Sequence, residues 1–271
     1  MRIAIRADAS LAIGSGHIMR CLTLAEALRA RGAEVVFLCR PHPGSLIAAI
    51  ENKSFPVRVL SAPDAASHDT LAHAHWLGAS QEEDAQQCIE ALGDTVFDWL
   101  IADHYALGAT WEAGIKSHGN SLMVIDDLGD RDHLCDLLLD QNYGSTPEKY
   151  QHRVPAHCQI LAGSDYALLR PEFREWREYS LQRRRHPKLR NILISLGGMD
   201  AKNMTGDLIQ KLSDCNLPQE VKVTVVMGET APHIHAVRQE AARSGLAIEV
   251  KTGVTNMAEL MANADMAIGA A

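Results

Sequence analysis

Twice in this chain an apolar run closes into a glycine turn, and each time the turn opens onto a helix. The first instance is Ile3-Ala4-Ile5, then polar Arg6, Asp8 and Ser10, then Gly14-Ser15-Gly16-His17-Ile18-Met19-Arg20. Behind it Ile18, Cys21, Leu22, Ala25 and Leu28 recur at helical spacing. The second is Asn191–Leu196, followed by Gly197-Gly198-Met199-Asp200 and a helix over Lys202–Leu212. Strands that feed helices in this way build a parallel sheet covered on both faces, and such strands read as unbroken apolar runs. Paired glycines allow positive φ and let amides approach a ligand. The helix N-terminus adds unpaired N–H groups and partial positive charge. His17 therefore stands where a general base belongs, with its neutral form favoured by the dipole.

Two other readings compete for the first turn. The dinucleotide fingerprint G-x-G-x-x-G would use Gly14 and Gly16, but Met19 holds its third glycine position. No acidic residue closes the second strand either, since Val35–Leu38 runs into Cys39-Arg40. The other reading is structural: the glycines make the turn and His17 caps it.

The alternation continues along the chain. Strands are expected over Glu34–Cys39, Val57–Leu60, Val96–Ala102, Leu122–Ile125 and Leu137–Leu139, with helices over Ser45–Asn52, Gln81–Leu92 and Thr110–Ser117. The later strands close on Asp103-His104-Tyr105, Asp126-Asp127 and Asp140-Gln141-Asn142. Ligands of open α/β sheets bind outside the carboxyl ends of the strands. Asp8, His17, Asp103, Tyr105, Asp126, Asp127 and Asn142 are thus expected along one edge. The turn-rich stretch Ser61–Ala79 carries His68, His73 and His75; His73-x-His75 lacks a third ligand at useful spacing and reads as solvated.

An aromatic helix over Tyr166–Tyr179 leads into the basic run Gln182–Lys188, read as a solvated linker. This places an N-terminal Rossmann-like domain at residues 1–180 and a partial, nucleotide-binding one at 181–271. Beyond the linker, strands Val221–Met227, Ala247–Val250 and Met266–Ile268 alternate with helices Ala231–Ser244 and Asn256–Asn263. The Gly197-Gly198 turn suits an anion held by backbone amides, and two such domains point to a ligand in the cleft between them. A chain of 271 residues has room for both. Its net charge of −8 argues against nonspecific nucleic-acid binding, and no apolar run approaches membrane-spanning length. Six cysteines without a C-x-x-C pair read as reduced thiols of a cytoplasmic protein; no metal or cofactor constellation is expected, and motifs that imply a self-contained cleft point to a monomer.

Further motifs join these: Arg6-x-Asp8-x-Ser10, Trp76-Leu77-Gly78, Tyr166-Ala167-Leu168-Leu169-Arg170-Pro171, Ser195-x-Gly197-Gly198-x-Asp200 and Asn256-Met257-x-x-Leu260-Met261. In this order they resemble the UDP-2,4-diacetamido-2,4,6-trideoxy-β-L-altropyranose hydrolases of pseudaminic acid biosynthesis. The resemblance implies α/β architecture of the glycosyltransferase-B type, with two Rossmann-like domains. It implies that His17 activates water for inverting attack at the anomeric carbon and that Tyr105 contacts substrate, with no metal required. Asp8, ending the first strand, is expected to reach the imidazole and orient it. Gly14, Gly16, Arg20, Asp103, Asp126 and Asn142 would line the sugar site. UDP would lie on the second domain, against Gly197, Gly198 and Asp200, with Val254, Thr255, Asn256 and Met257 towards uracil. The resembled family continues with a further glycine turn and helix beyond Ile268-Gly269-Ala270-Ala271, so a shortened second domain is expected. A UDP-sugar-dependent glycosyltransferase and a non-catalytic nucleotide-sugar-binding protein are the alternatives.

Overall fold

The first strand, β1 (Arg2–Ala7), buries every residue after Arg2, as a strand sandwiched between two helical layers must. The computed structural model describes residues 1–62 and 71–269, in two compact units, Met1–Leu169 and Arg170–Ala271. Of the histidines in the 61–79 stretch, His68 lies outside the described residues. Ala270 and Ala271, at the end of the sequence, also lie outside them.

In the first unit β1 is followed by α1 (Gly16–Arg29), β2 (Glu34–Cys39), α2 (Ile47–Asn52) and β3 (Val57–Val59). Then come α3 (Gln81–Leu92), β4 (Phe97–Asp103), α4 (Ala109–Ile115), β5 (Gly119–Ile125), β6 (Leu137–Asp140) and β7 (Gln159–Ala162). All seven strands are parallel in the order β3-β2-β1-β4-β5-β6-β7. The order reverses between β1 and β4, the crevice where ligands bind in such sheets. Register there pairs Ile5 with Ile101 and Ala7 with Asp103, so the residues after β1 and the last residue of β4 lie side by side.

Strand alternation divides the core between two faces. Ile3, Ile5 and Phe37 pack with Ile18, Cys21, Leu22 and Ala25 of α1 and Ile50 of α2. Ala4, Leu38 and Leu100 pack on the other face with Cys88 of α3 and Trp111 and Ile115 of α4. The start of α3 is set locally by a capping box: Ser80 accepts from the Glu83 amide and Glu83 accepts from the Ser80 amide.

Beneath the carboxyl edge lies a buried ionic knot. Asp84, on the first turn of α3, accepts from Arg6 Nε and Nη2 at 2.9 and 2.7 Å. It also accepts from Arg40 Nη2 at 2.7 Å and from the Trp111 indole at 3.0 Å. One carboxylate thus ties β1, the end of β2, α3 and α4 together.

The second unit begins with α5 (Pro171–Arg183) and holds β8 (Asn191–Ser195), α6 (Met204–Ser213), β9 (Lys222–Met227), α7 (Ile234–Arg243), β10 (Ala247–Thr252), α8 (Met257–Asn263) and β11 (Met266–Gly269). Its four strands are parallel in the order β10-β9-β8-β11. The expected boundary at 180/181 falls inside α5, whereas the units divide at 169/170. The reason is side-chain bonding. Tyr179 donates to Asn263 at 2.8 Å, and Arg183 pairs with Asp265 at 2.6 Å. Asp265 in turn accepts from the amides of Arg190 and Asn191. Among the described residues no helix is long and apolar enough to cross a membrane.

Removing one partner of a buried ion pair strands the other charge, typically at about 3–5 kcal/mol. Asp84→Ala leaves two buried guanidinium groups without it. Its urea midpoint is therefore expected to fall by an amount equivalent to about 3–5 kcal/mol at unchanged slope, measured by circular dichroism.

Candidate active site

The turn between β1 and α1 is shaped by Ser10 and Gly14. The Ser10 hydroxyl accepts from the amides of Ala12 and Ile13, and its carbonyl accepts from Gly14 N at 2.8 Å. Gly14 takes φ of 81°, which strains any residue with a Cβ. The turn delivers His17 to the first turn of α1, nearly buried, beside the end of β4.

There His17 Nδ1 donates to Asp103 Oδ1 at 2.6 Å. A carboxylate can only accept, so Nδ1 turns its N–H to Asp103; in the neutral form of the ring the lone pair is then on Nε2. Arg20, one turn along α1, spans the same carboxylate: Nε meets Oδ2 and Nη2 meets Oδ1, both at 2.6 Å. Its Nη1 reaches Asp127 at 3.3 Å. Burial opposes ionisation of Asp103, but His17 and then Arg20 outweigh it and hold its pKa below the ordinary carboxylate value. Asp103 thus fixes the tautomer of His17 and is charged to stabilise an imidazolium.

Tyr105 packs edge-on against the His17 ring, with centroids 4.6 Å apart. Burial first, then a hydrogen bond to Asp127, pushes its pKa up, so it is a phenol. Trp76 stacks on Tyr105 at 5.9 Å, and His73 lies 4.3 Å from Trp76 and 5.5 Å from Tyr105. His73, expected on a solvated loop, is instead part of an aromatic wall beside His17.

Asp8 departs from expectation. Its Oδ1 receives Arg6 Nη1 and the Arg40 amide, each at 2.7 Å, while Oδ2 faces His42 Nε2 and His104 Nε2, each at 3.6 Å. The partner that orients His17 is therefore Asp103. Ala7 and Asp103 pair across the sheet, so Asp8 lies one residue beyond that level and is drawn to the arginines.

Of the other expected sugar-site residues, Arg20, Asp103 and Tyr105 gather around His17, with Gly14 and Gly16 forming the turn before it. Asp126 is committed elsewhere: it accepts from Gly129 N at 2.8 Å and pairs with Arg131 at 2.8 Å, pinning its own loop. Asn142 is exposed on the turn after β6, its amide held by Asp140. Sequence reasoning gave no role to His42, His104 or Trp76. His104 stood between two residues that it did select, and His42 stood in Pro41-His42-Pro43.

In the second unit Gly197, with φ of 90°, and Gly198 follow β8, and the Gly198 carbonyl accepts from Gly228 N after β9. Asp200 caps α6 by accepting from Met204 N at 2.9 Å and Thr205 N at 2.8 Å. Its carboxylate therefore occupies that helix N-terminus itself. Val254, Thr255 and Asn256 follow β10, and Met257 begins α8; Asn256 Nδ2 donates to Glu259 at 2.7 Å. Among the described residues no group of three or more His, Cys, Asp or Glu is placed to hold a metal ion.

No known family model matches the chain. It is 28% identical over 242 residues to the UDP-2,4-diacetamido-2,4,6-trideoxy-beta-L-altropyranose hydrolase of Campylobacter jejuni, which spans 89% of this chain and 74% of that protein. It is 26% identical over 273 residues to the spore coat polysaccharide biosynthesis protein SpsG of Bacillus subtilis, spanning 99% and 71%. Among solved structures, MurG of Acinetobacter baumannii matches with a TM-score of 0.57 at 15% identity, over 99% of this chain and 72% of that one. The resemblance read from the motifs is borne out, and the fold is α/β of the glycosyltransferase-B type.

Burial lowers the pKa of His104 from its ordinary 6.5 to about 3. Its Nδ1 accepts from Ala106 N at 3.0 Å, so the proton is on Nε2. The unfolded chain then binds a proton at His104 that the native state refuses, and stability falls as pH drops from 6.5 towards 3. Ring ¹⁵N shifts of His104 are expected to stay constant between about pH 5 and 8, with Nδ1 unprotonated, while the His104→Gln variant loses less stability on acidification.

Proposed function

We propose that this protein hydrolyses a UDP-linked 2,4-diacetamido-2,4,6-trideoxy hexose, releasing UDP and the free sugar in the biosynthesis of pseudaminic acid for surface glycans. The observation that carries the reading is the His17–Asp103 pair at the sheet reversal, with Nδ1 of His17 bonded to an ionised Asp103. The sequence likeness to the Campylobacter jejuni hydrolase supports the choice of substrate.

In the reaction His17 Nε2 takes a proton from water as the water oxygen bonds to the anomeric carbon. The bond from that carbon to the diphosphate oxygen breaks, and its electron pair leaves with UDP, inverting the centre. Asp103 and Arg20 keep the imidazole in one orientation, and Asp103 offsets the charge that His17 acquires. Tyr105 supplies a neutral hydroxyl and, with Trp76, an apolar wall for the deoxygenated sugar. UDP is assigned to the glycine turns of the second unit, where Gly197 and Gly198 leave backbone accessible; Asp200 serves as the cap of α6. The protein acts in the cytoplasm as a monomer.

A glycosyltransferase would use an acceptor hydroxyl in place of water. Incubation with the UDP-sugar and no acceptor separates the two: UDP and free sugar are expected, and strict dependence on an added acceptor would reject hydrolysis. General-base assistance contributes about 10²–10⁴-fold to rate. His17→Asn is expected to lower kcat by about that factor while the Kd for UDP, measured by calorimetry, stays unchanged. A variant with normal turnover and a slightly lower Tm would reduce His17 to a structural residue.

A further inference from the structure

Three buried polar atoms face one another near His17 without a hydrogen-bond partner: Asp8 Oδ2, His42 Nε2 and His104 Nε2. They come from the carboxyl ends of β1, β2 and β4, and all three side chains are at least nine-tenths buried. Each imidazole nitrogen lies 3.6 Å from the same carboxylate oxygen, beyond hydrogen-bonding range. Buried groups left so are expensive, and natural proteins retain them where something else satisfies them. The His104 ring lies roughly parallel to His17, with centroids 6.4 Å apart.

The chemistry of the three atoms narrows the occupant. Asp8 is ionised: burial opposes its charge, but Arg6 outweighs burial and holds its pKa well down, so Oδ2 only accepts. His104 Nε2 carries a proton because Nδ1 accepts from Ala106 N, so it only donates. A metal ion needs a lone pair that His104 does not offer. An anion is repelled by Asp8. A hydroxyl fits, since it donates to the carboxylate and accepts from the imidazole. An oxygen set beside this 3.6 Å pair, not between its members, lies within hydrogen-bonding distance of both.

Resting on the hydrolase reading, we propose that Asp8, His42 and His104 form a socket for the single free hydroxyl of the substrate sugar. A 2,4-diacetamido-2,4,6-trideoxy pyranose linked to UDP through C1 keeps one hydroxyl, on C3. Its acetamido groups offer an N–H or a carbonyl, each only half of what the socket asks. A water molecule offers the same chemistry, and a permanently held water is the competing occupant. In the proposed role the three residues position the sugar so that C1 faces His17.

The test is a cycle between enzyme and substrate, using wild type, His42→Leu and His42→Gln with the UDP-sugar and its 3-deoxy analogue. A buried site built for a hydroxyl rejects the analogue lacking it strongly, so wild-type kcat/KM is expected to fall by roughly 10²-fold or more. His42→Leu should lose about tenfold on the natural sugar and suffer a much smaller penalty from the analogue, while His42→Gln, which keeps a polar nitrogen, recovers most activity. Tm and UDP affinity matching wild type show that the variants are folded. Equal analogue penalties in wild type and His42→Leu would overturn the proposal. So would a loss of Tm with unchanged kcat/KM, the mark of a structural water. Absence of UDP release by wild type would instead reject the hydrolase reading, and this occupant with it.

Discussion

A carboxylate removed from water must be paired, and the site in the first unit is arranged around that constraint. Asp103 closes β4 with no exposure, and three groups answer its charge: Arg20 through two nitrogens, His17 through one, and Cys21 through a longer thiol contact. The same pairing that keeps Asp103 ionised fixes the tautomer of His17. One contact therefore serves both the burial of the charge and the orientation of the ring. The knot of Arg6, Arg40, Asp84 and Asp8 does for the floor of the site what Asp103 does for its wall. Charges inside a protein hold geometry because each loses so much when its partner moves.

Much of this was legible beforehand because it follows from local periodicity. Unbroken apolar strands closing on Asp or Tyr imply a parallel sheet with one functional edge, and β1, β4, β5 and β6 are there. The glycine turn before His17 is read from neighbours in sequence. Partnerships across strands are another matter. Asp8 is nine residues from His17 and Asp103 is eighty-six away, yet the register of β1 on β4 brings Asp103 to the imidazole. Nothing in the sequence states that register. Nor does the sequence show that Arg6 and Arg40 are buried on Asp84.

The α5 boundary shows the same limit. Composition placed a break at the basic run 182–188, whereas Arg183 and Arg184 use their charge and donors to hold α5 on the second unit, at Asp265 and the last carbonyls of α8. Likewise Asp200 looked like a ligand contact from its place after a glycine pair, and it serves the first-turn amides of α6. In both cases the residue type was informative and the partner was not.

In the proposed reaction water, deprotonated by His17, attacks carbon and not phosphorus. Turnover of the UDP-sugar in H₂¹⁸O, with mass spectrometry of the UDP, tests it most directly, because phosphate oxygens do not exchange with solvent on this timescale. Unlabelled UDP is expected, since the bridging oxygen leaves with the diphosphate. A β-phosphate carrying ¹⁸O would mean cleavage at phosphorus and would contradict it.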